Sequence, residues 1–151
     1  MPLAQLNVAH MTAPLDAPEM AGFVGQLAEV NAAADAADGF VWRLQDADGP
    51  GATSYRLLGD ALLLVNLSVW RDLASLRAFV LDGARHRPVL QRRREWFERP
   101  TEVMTACWHV AEGHLPSLEE AESMLLRLRA EGPGAEVFPF TYRDSGPGAV
   151  T

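Results

Sequence analysis

The stretch of sequence that decides the fold is residues 61–70, which read ALLLVNLSVW. Side chains along a β-strand point alternately to the two faces of a sheet. On one face of this segment all four side chains, from Leu63 to Val69, are aliphatic. On the other face the polar Asn66 and Ser68 lie between Leu64 and Trp70. The alternation predicts a strand whose two faces meet different surroundings.

The same reading, carried outward along the chain, predicts further strands and helices. Apolar residues at alternate positions predict strands over 3–10, 40–45 and 103–110, and a short last strand over 137–142. Apolar residues three and four positions apart predict helices over 18–37 and 88–98, and another that starts at 73 and is interrupted at Asp82-Gly83. A last helix is predicted to run to Glu131. It begins at a capping box formed by Ser117 and Glu120. Residues 46–52 are rich in turn formers, which indicates a loop.

This order of elements predicts a ferredoxin-like α+β fold, with one antiparallel sheet and its helices on one face. We expect one domain over residues 1–144 and a flexible tail over 145–151. A single layer of helices buries only one face of a sheet. The sequence therefore predicts a homodimer in which a second copy covers the other face, as in a dimeric α/β barrel.

Composition narrows the possible functions of the 151 residues. Thirteen basic residues, all arginine, stand against twenty acidic ones, for a net charge of −7, which argues against nucleic-acid binding. The absence of lysine excludes a Schiff-base or general-base lysine, and the single cysteine excludes an internal disulfide. The first residues do not resemble a signal peptide, and no apolar window is long enough to span a membrane. We expect a cytoplasmic protein without a membrane partner.

Polar side chains on an otherwise apolar sheet face point to a binding site. Unpaired buried amides cost about 1 to 3 kcal/mol each, so Asn7 and Asn66 are expected to face a ligand or water. One interpretation is a pocket between sheet and helices, with walls formed by Trp70, Phe79, Trp96 and Trp108. The alternative is a wet groove or a polar part of a dimer interface.

Two further residues are candidates for chemistry. His86 is interpreted either as a proton shuttle or porphyrin ligand, or as a histidine that bonds nearby backbone. Arg93 is interpreted as a partner for a carboxylate ligand. The alternatives are a solvated basic run, contact with an acidic surface of a partner, or pairing with Glu95 and Glu98. The four histidines have no compact metal-binding spacing, so no dedicated metal site is expected.

Five segments carry a resemblance to a known family: LAQLNVA at 3–9, GFVWRLQ at 39–45, LVNLSVW at 64–70, RRREWF at 92–97 and AEGHLP at 111–116. Together they resemble an uncharacterised bacterial domain-of-unknown-function family. That family is similar to the dimeric α/β-barrel superfamily, which contains antibiotic-biosynthesis monooxygenases and heme-degrading monooxygenases.

The resemblance implies roles for individual residues. Asn7 falls where the heme-degrading branch has its pocket asparagine, and His86 falls near its iron-ligating histidine. Phe79 stands where that branch has a tryptophan, and the spacing from Trp70 to His86 is shifted by a few residues. The cofactor-free branch holds an aromatic substrate with asparagine, tryptophan and histidine groups, a role that Asn7, Asn66, Trp70 and His86 match.

Two functions follow as hypotheses. The first is a monooxygenase-like enzyme for a planar aromatic or porphyrin ligand, with His86 and Asn7 as catalytic residues and His86 as the ligand of a heme cofactor. Its substrate-binding residues are Asn66, Trp70, Phe79, Trp96 and Arg93. The second is a non-catalytic dimeric ligand-binding or stress-response module.

Overall fold

The helices and strands are taken from a computed structural model, which describes residues 1–45, 56–86 and 93–142, with the backbone alone for 82–86 and 93. The strands are β1 Leu3–His10, β2 Phe40–Arg43, β3 Leu63–Trp70 and β4 Thr105–His109. The helices are α1 Ala21–Asp35, α2 Leu73–His86, α3 Arg93–Trp96 and α4 Leu118–Glu131, and a short 3-10 helix, Pro18–Met20, precedes α1.

The four strands form one antiparallel sheet in the order β2-β3-β1-β4. β1 and β3 pair along their whole length, from Leu3 opposite Trp70 to His10 opposite Leu63. These are also the strands with apolar residues on both faces, which suits the centre of a sheet. The protein therefore has an α+β fold, and its strand order is compatible with a ferredoxin-like sheet.

One face of the sheet, the apolar face, consists of Ala4, Leu6, Val8, Leu63, Val65, Leu67, Val69, Ala106 and Trp108. Helix α4 packs on it through Ala121, Leu125 and Leu128, each at most 1% exposed. The opposite face carries α1 and α2. The prediction that the helices share one face is therefore wrong, because α4 forms a second helical layer. The argument for a homodimer loses its premise, since the apolar face is covered within the chain.

Helix α4 begins as the capping box predicts. The hydroxyl of Ser117 accepts a hydrogen bond from the backbone N–H of Glu120 at 3.1 Å. The Glu120 carboxylate does not return to Ser117. It accepts from the indole N–H of Trp108 at 2.8 Å and lies 2.7 Å from His114 Nε2, which ties the start of α4 to β4.

Removal of this cap gives a first prediction. We expect Ser117→Ala to lower the free energy of unfolding by about 1 kcal/mol, because one backbone N–H at the helix start loses its acceptor. Urea unfolding of both proteins measures the difference, and Ser117→Asp, which keeps an acceptor, is the control. Equal stability of Ser117→Ala and the wild type would contradict the cap.

The second face, the amide face, consists of Leu3, Gln5, Asn7, Leu64, Asn66, Ser68, Trp70, Thr105 and Cys107. At one end, Trp70 is 2% exposed and lies between Phe40 and Phe79, with ring centroids 5.6 and 5.2 Å away. Its indole N–H donates to Ser68 Oγ at 3.0 Å, and Ser68 donates to Gln5 Oε1 at 2.9 Å. This end of the amide face is closed by α2.

Several predicted boundaries differ from the structure. Helix α2 continues through Gly83 to His86 instead of stopping at Asp82-Gly83. A glycine inside a helix costs only about 1 kcal/mol, less than the packing of Leu76 and Phe79 provides. The predicted strand over 137–142 is reduced to a bridge between Phe138 and Cys107. The loop at 46–52, the start of the helix at 88–98 and the tail at 145–151 lie outside the described residues.

Candidate functional site

A pocket of about 560 Å³ opens on the amide face, at the end away from Trp70. The sheet forms its floor, α1 forms one wall, and the segment from Arg94 to Pro100 contributes another. This volume lies within the range of about 300 to 1,000 Å³ that is usual for small-molecule sites. The pocket is therefore large enough for a ligand of one or two rings or more.

Two asparagines form the polar part of the floor. Asn7 of β1 lies directly opposite Asn66 of β3, and both line the pocket with exposed side chains. Side chains directly opposite on one face stand about 5 Å apart at Cβ. Thr105 donates to Asn7 Oδ1 at 3.1 Å, so the NH₂ group of Asn7 remains available. Asn66 forms no side-chain hydrogen bond within the described residues.

An aromatic wall stands beside these amides. The rings of Phe23 in α1 and Phe97 pack edge-to-face with their centroids 5.1 Å apart. The ring of Trp96 packs against Phe23 as well, at a centroid distance of 5.8 Å. Phe23 and Phe97 line the pocket, whereas Trp96 is 1% exposed. Edge-to-face rings offer flat apolar surface to a planar ligand.

The segment that carries Phe97 is held to the end of β1. Met11 and Phe97 form an isolated antiparallel β-bridge, and the N–H of Thr12 donates to the carbonyl of Trp96 at 2.8 Å. The N–H of Glu98 donates to the carbonyl of His10 at 2.9 Å. These contacts join residues more than 80 positions apart in sequence, so the wall depends on tertiary structure.

Of the three charged side chains described in the lining of the pocket, Arg43 and Glu98 lie next to a side chain that can carry the opposite charge. Arg43 forms a bidentate ion pair with Asp35, at 2.7 and 3.2 Å. Glu98 lies 2.9 Å from Nδ1 of His10, at ion-pair distance but without an aligned hydrogen bond, and Nε2 of His10 lies 3.2 Å from Asp60. Arg94 lines the pocket and has no ion pair among the described residues.

The structure brings together only part of the predicted site. Asn7 and Asn66 share the floor of the pocket. Trp70 and Phe79 instead pack on each other in the core next to the pocket, and Trp96 supports the aromatic wall from behind. The interpretation of Trp108 as a wall is wrong, because this residue lies on the apolar face. The side chains of His86 and Arg93 lie outside the described residues.

Among the side chains of this pocket that sequence reasoning missed are Phe23, Phe97, Arg94 and Glu98. Phe23 and Phe97 each belong to an apolar pattern that indicates burial, but nothing in that pattern shows that the two rings meet. The basic run at 92–94 signalled Arg94 as strongly as Arg93, since neighbouring helical positions differ only in direction.

The described residues contain no cluster of three or more His, Cys, Asp or Glu side chains that could hold a metal ion. Protein ligands of heme iron are usually His, Cys, Met or Tyr. Of these four types, the described side chains that line the pocket include Met104 alone, and the side chain of His86, the predicted heme ligand, lies outside the described residues. Burial raises the pKa of the Cys107 thiol to about 12, so this residue stays protonated near neutral pH.

A family model described as a domain of unknown function (DUF3291) matches residues 2–150. No curated protein and no solved structure gives a significant match. Among the described residues, every helix is too short or too polar to cross a membrane.

Proposed function

The chain belongs to the DUF3291 family, and we propose that its function is to bind a planar aromatic small molecule in the pocket on the amide face. The observation that carries this proposal is the pair of facing asparagines beside the Phe23–Phe97 wall. The wall would take the flat face of the ligand, and the amides would take a polar group at its edge.

The hydrogen-bonding state of the two amides leaves them accessible to a ligand. Both side chains are exposed, so water can satisfy the groups that the protein leaves unpaired. Asn66 has no hydrogen-bond partner for its side chain among the described residues, and Asn7 uses only its oxygen. Both side chains are therefore placed to exchange water for the groups of a ligand.

A test of binding uses 2-naphthol as the probe, because it combines two fused rings with one hydroxyl. We expect one saturable site by isothermal titration calorimetry. In Asn66→Trp the new indole fills the floor, and the affinity should fall at least about tenfold, which corresponds to about 1.4 kcal/mol. The matched control is Leu126→Trp, which adds the same side chain on the exposed outer side of α4.

Two outcomes would contradict the proposal. One is the absence of binding up to millimolar probe, and the other is equal affinity of Asn66→Trp and wild type. Thermal unfolding of both variants checks that they remain folded. Asn66 is exposed, so its replacement leaves the core intact.

A monooxygenase-like activity of the same pocket is a further proposal, supported by the resemblance at Asn7 and by the aromatic wall. It is separated from a non-catalytic binding module by oxygen consumption with 2-naphthol in an oxygen electrode. Uptake that Asn66→Trp abolishes would support an enzyme, and binding without uptake would support the module.

Heme binding is tested separately, by visible absorption spectra of the protein with added hemin. A Soret shift of added hemin that His86→Ala abolishes would assign the heme ligand to His86. A shift that survives in His86→Ala would exclude that role, and no shift would remove heme as the cofactor.

The homodimer also remains a proposal, although the need to cover the apolar face no longer supports it, because α4 covers that face. Sedimentation velocity at micromolar concentration tests it: a dimer would support the proposal, and a monomer would contradict it. A dimer would have to use a surface other than the apolar face.

A further inference from the structure

Among the described side chains that line the pocket, Arg94 is a cation without a partner. The charged side chains of this described lining are Arg43, Arg94 and Glu98. Asp35 pairs with Arg43, and Glu98 faces the His10 ring. Arg94 has no carboxylate or backbone oxygen as a partner within the described part of the chain.

We propose that the natural ligand of the pocket is an anion, an aromatic carboxylate whose negative group is bound by Arg94. This inference rests on the proposed binding function and adds the charge of the ligand to it. An arginine guanidinium presents paired N–H groups that match the two oxygens of a carboxylate. The aromatic wall at Phe97 follows three residues after Arg94, so apolar and cationic surfaces belong to the same short segment.

The charge of the rest of the protein makes this arrangement informative. The chain carries a net charge of −7, so its surface as a whole repels anions. The described lining carries two arginines and one glutamate, so it is locally more positive than the chain as a whole. Arg43 serves a different purpose, because its two hydrogen bonds to Asp35 hold the end of α1 against β2.

The test compares two probes of nearly the same shape, 2-naphthoate and 2-naphthamide, which differ in charge. We expect wild type to bind naphthoate up to about fivefold more tightly than naphthamide, which is the upper end of the range for an ion pair open to solvent. In Arg94→Gln the two probes should bind equally, with the affinity for naphthamide unchanged. Arg94→Lys should keep part of the preference, and 1 M NaCl should reduce it in wild type.

The control is Arg127→Gln on the outer side of α4, which removes the same charge at an exposed ion pair with Glu131 and should leave the preference intact. Equal binding of both probes to wild type, or a preference that survives in Arg94→Gln, would overturn the anion proposal while the pocket proposal stands. If neither probe binds at millimolar concentration, the proposed function itself is overturned.

Discussion

Truncation of Leu125 to alanine is expected to destabilise the protein by about 3 kcal/mol, because it opens a cavity in the layer between α4 and the sheet. Leu125 is fully buried and packs against the apolar face together with Ala121 and Leu128. Chemical denaturation of wild type and variant measures the loss, and the variant should remain folded at low temperature.

The neighbouring residue provides the control for this result. Leu126 is 48% exposed, so Leu126→Ala should change the stability by less than about 0.5 kcal/mol. If a second copy covered the apolar face instead of α4, both variants would have small effects. The unfolding midpoint of wild type would then rise with protein concentration. We expect a midpoint independent of concentration.

A methyl group at Gly39 is expected to destabilise the protein by about 2 kcal/mol or more. Gly39 joins α1 to β2 with a φ of +85°, a conformation that side chains rarely adopt. A Cβ at this position would overlap the side chain of Ser75. Both the backbone N–H and the hydroxyl of Ser75 donate to Asp72 Oδ1, and the hydroxyl accepts a hydrogen bond from Arg71. The clash would therefore disturb the hydrogen-bond network at the start of α2.

An opposite effect is expected for a second glycine. Gly25 lies within α1, and a Cβ there would meet nothing within 4 Å. Gly25→Ala should therefore stabilise the protein by up to about 1 kcal/mol, since alanine favours the helix. Thermal unfolding of the two alanine variants compares them directly. A loss of stability in Gly25→Ala would contradict the account of Gly25, and no loss in Gly39→Ala would contradict the account of Gly39.

The strands and the start of α4 could be predicted because their signals are local. Alternation along 61–70 and along 3–10 depends on neighbouring residues alone, and so does the cap at Ser117. The cover of the apolar face could not be predicted in the same way. An amphipathic helix fits either face of a sheet, and only the tertiary structure shows that α4 lies opposite α1 and α2.

The residues of the candidate site likewise include some that a local pattern predicts and others that depend on tertiary contacts. Asn7 and Asn66 share a strand face, so periodicity was enough to place both on the amide face. Trp70 lies on that face too, but its indole N–H is satisfied by Ser68 and its ring is covered by Phe79, which turns it into core. The segment with Phe97 pairs with Met11 across the chain, a contact that no local pattern predicts.

The most direct test of the account is a ¹H–¹⁵N correlation spectrum recorded during titration with 2-naphthol. We expect the side-chain amide signals of Asn7 and Asn66 and the backbone signal of Phe97 to shift together along one saturation curve, while Leu126 on the outer side of α4 stays unchanged. Shifts centred on α4, or no shifts up to millimolar probe, would contradict a ligand-binding pocket on the amide face.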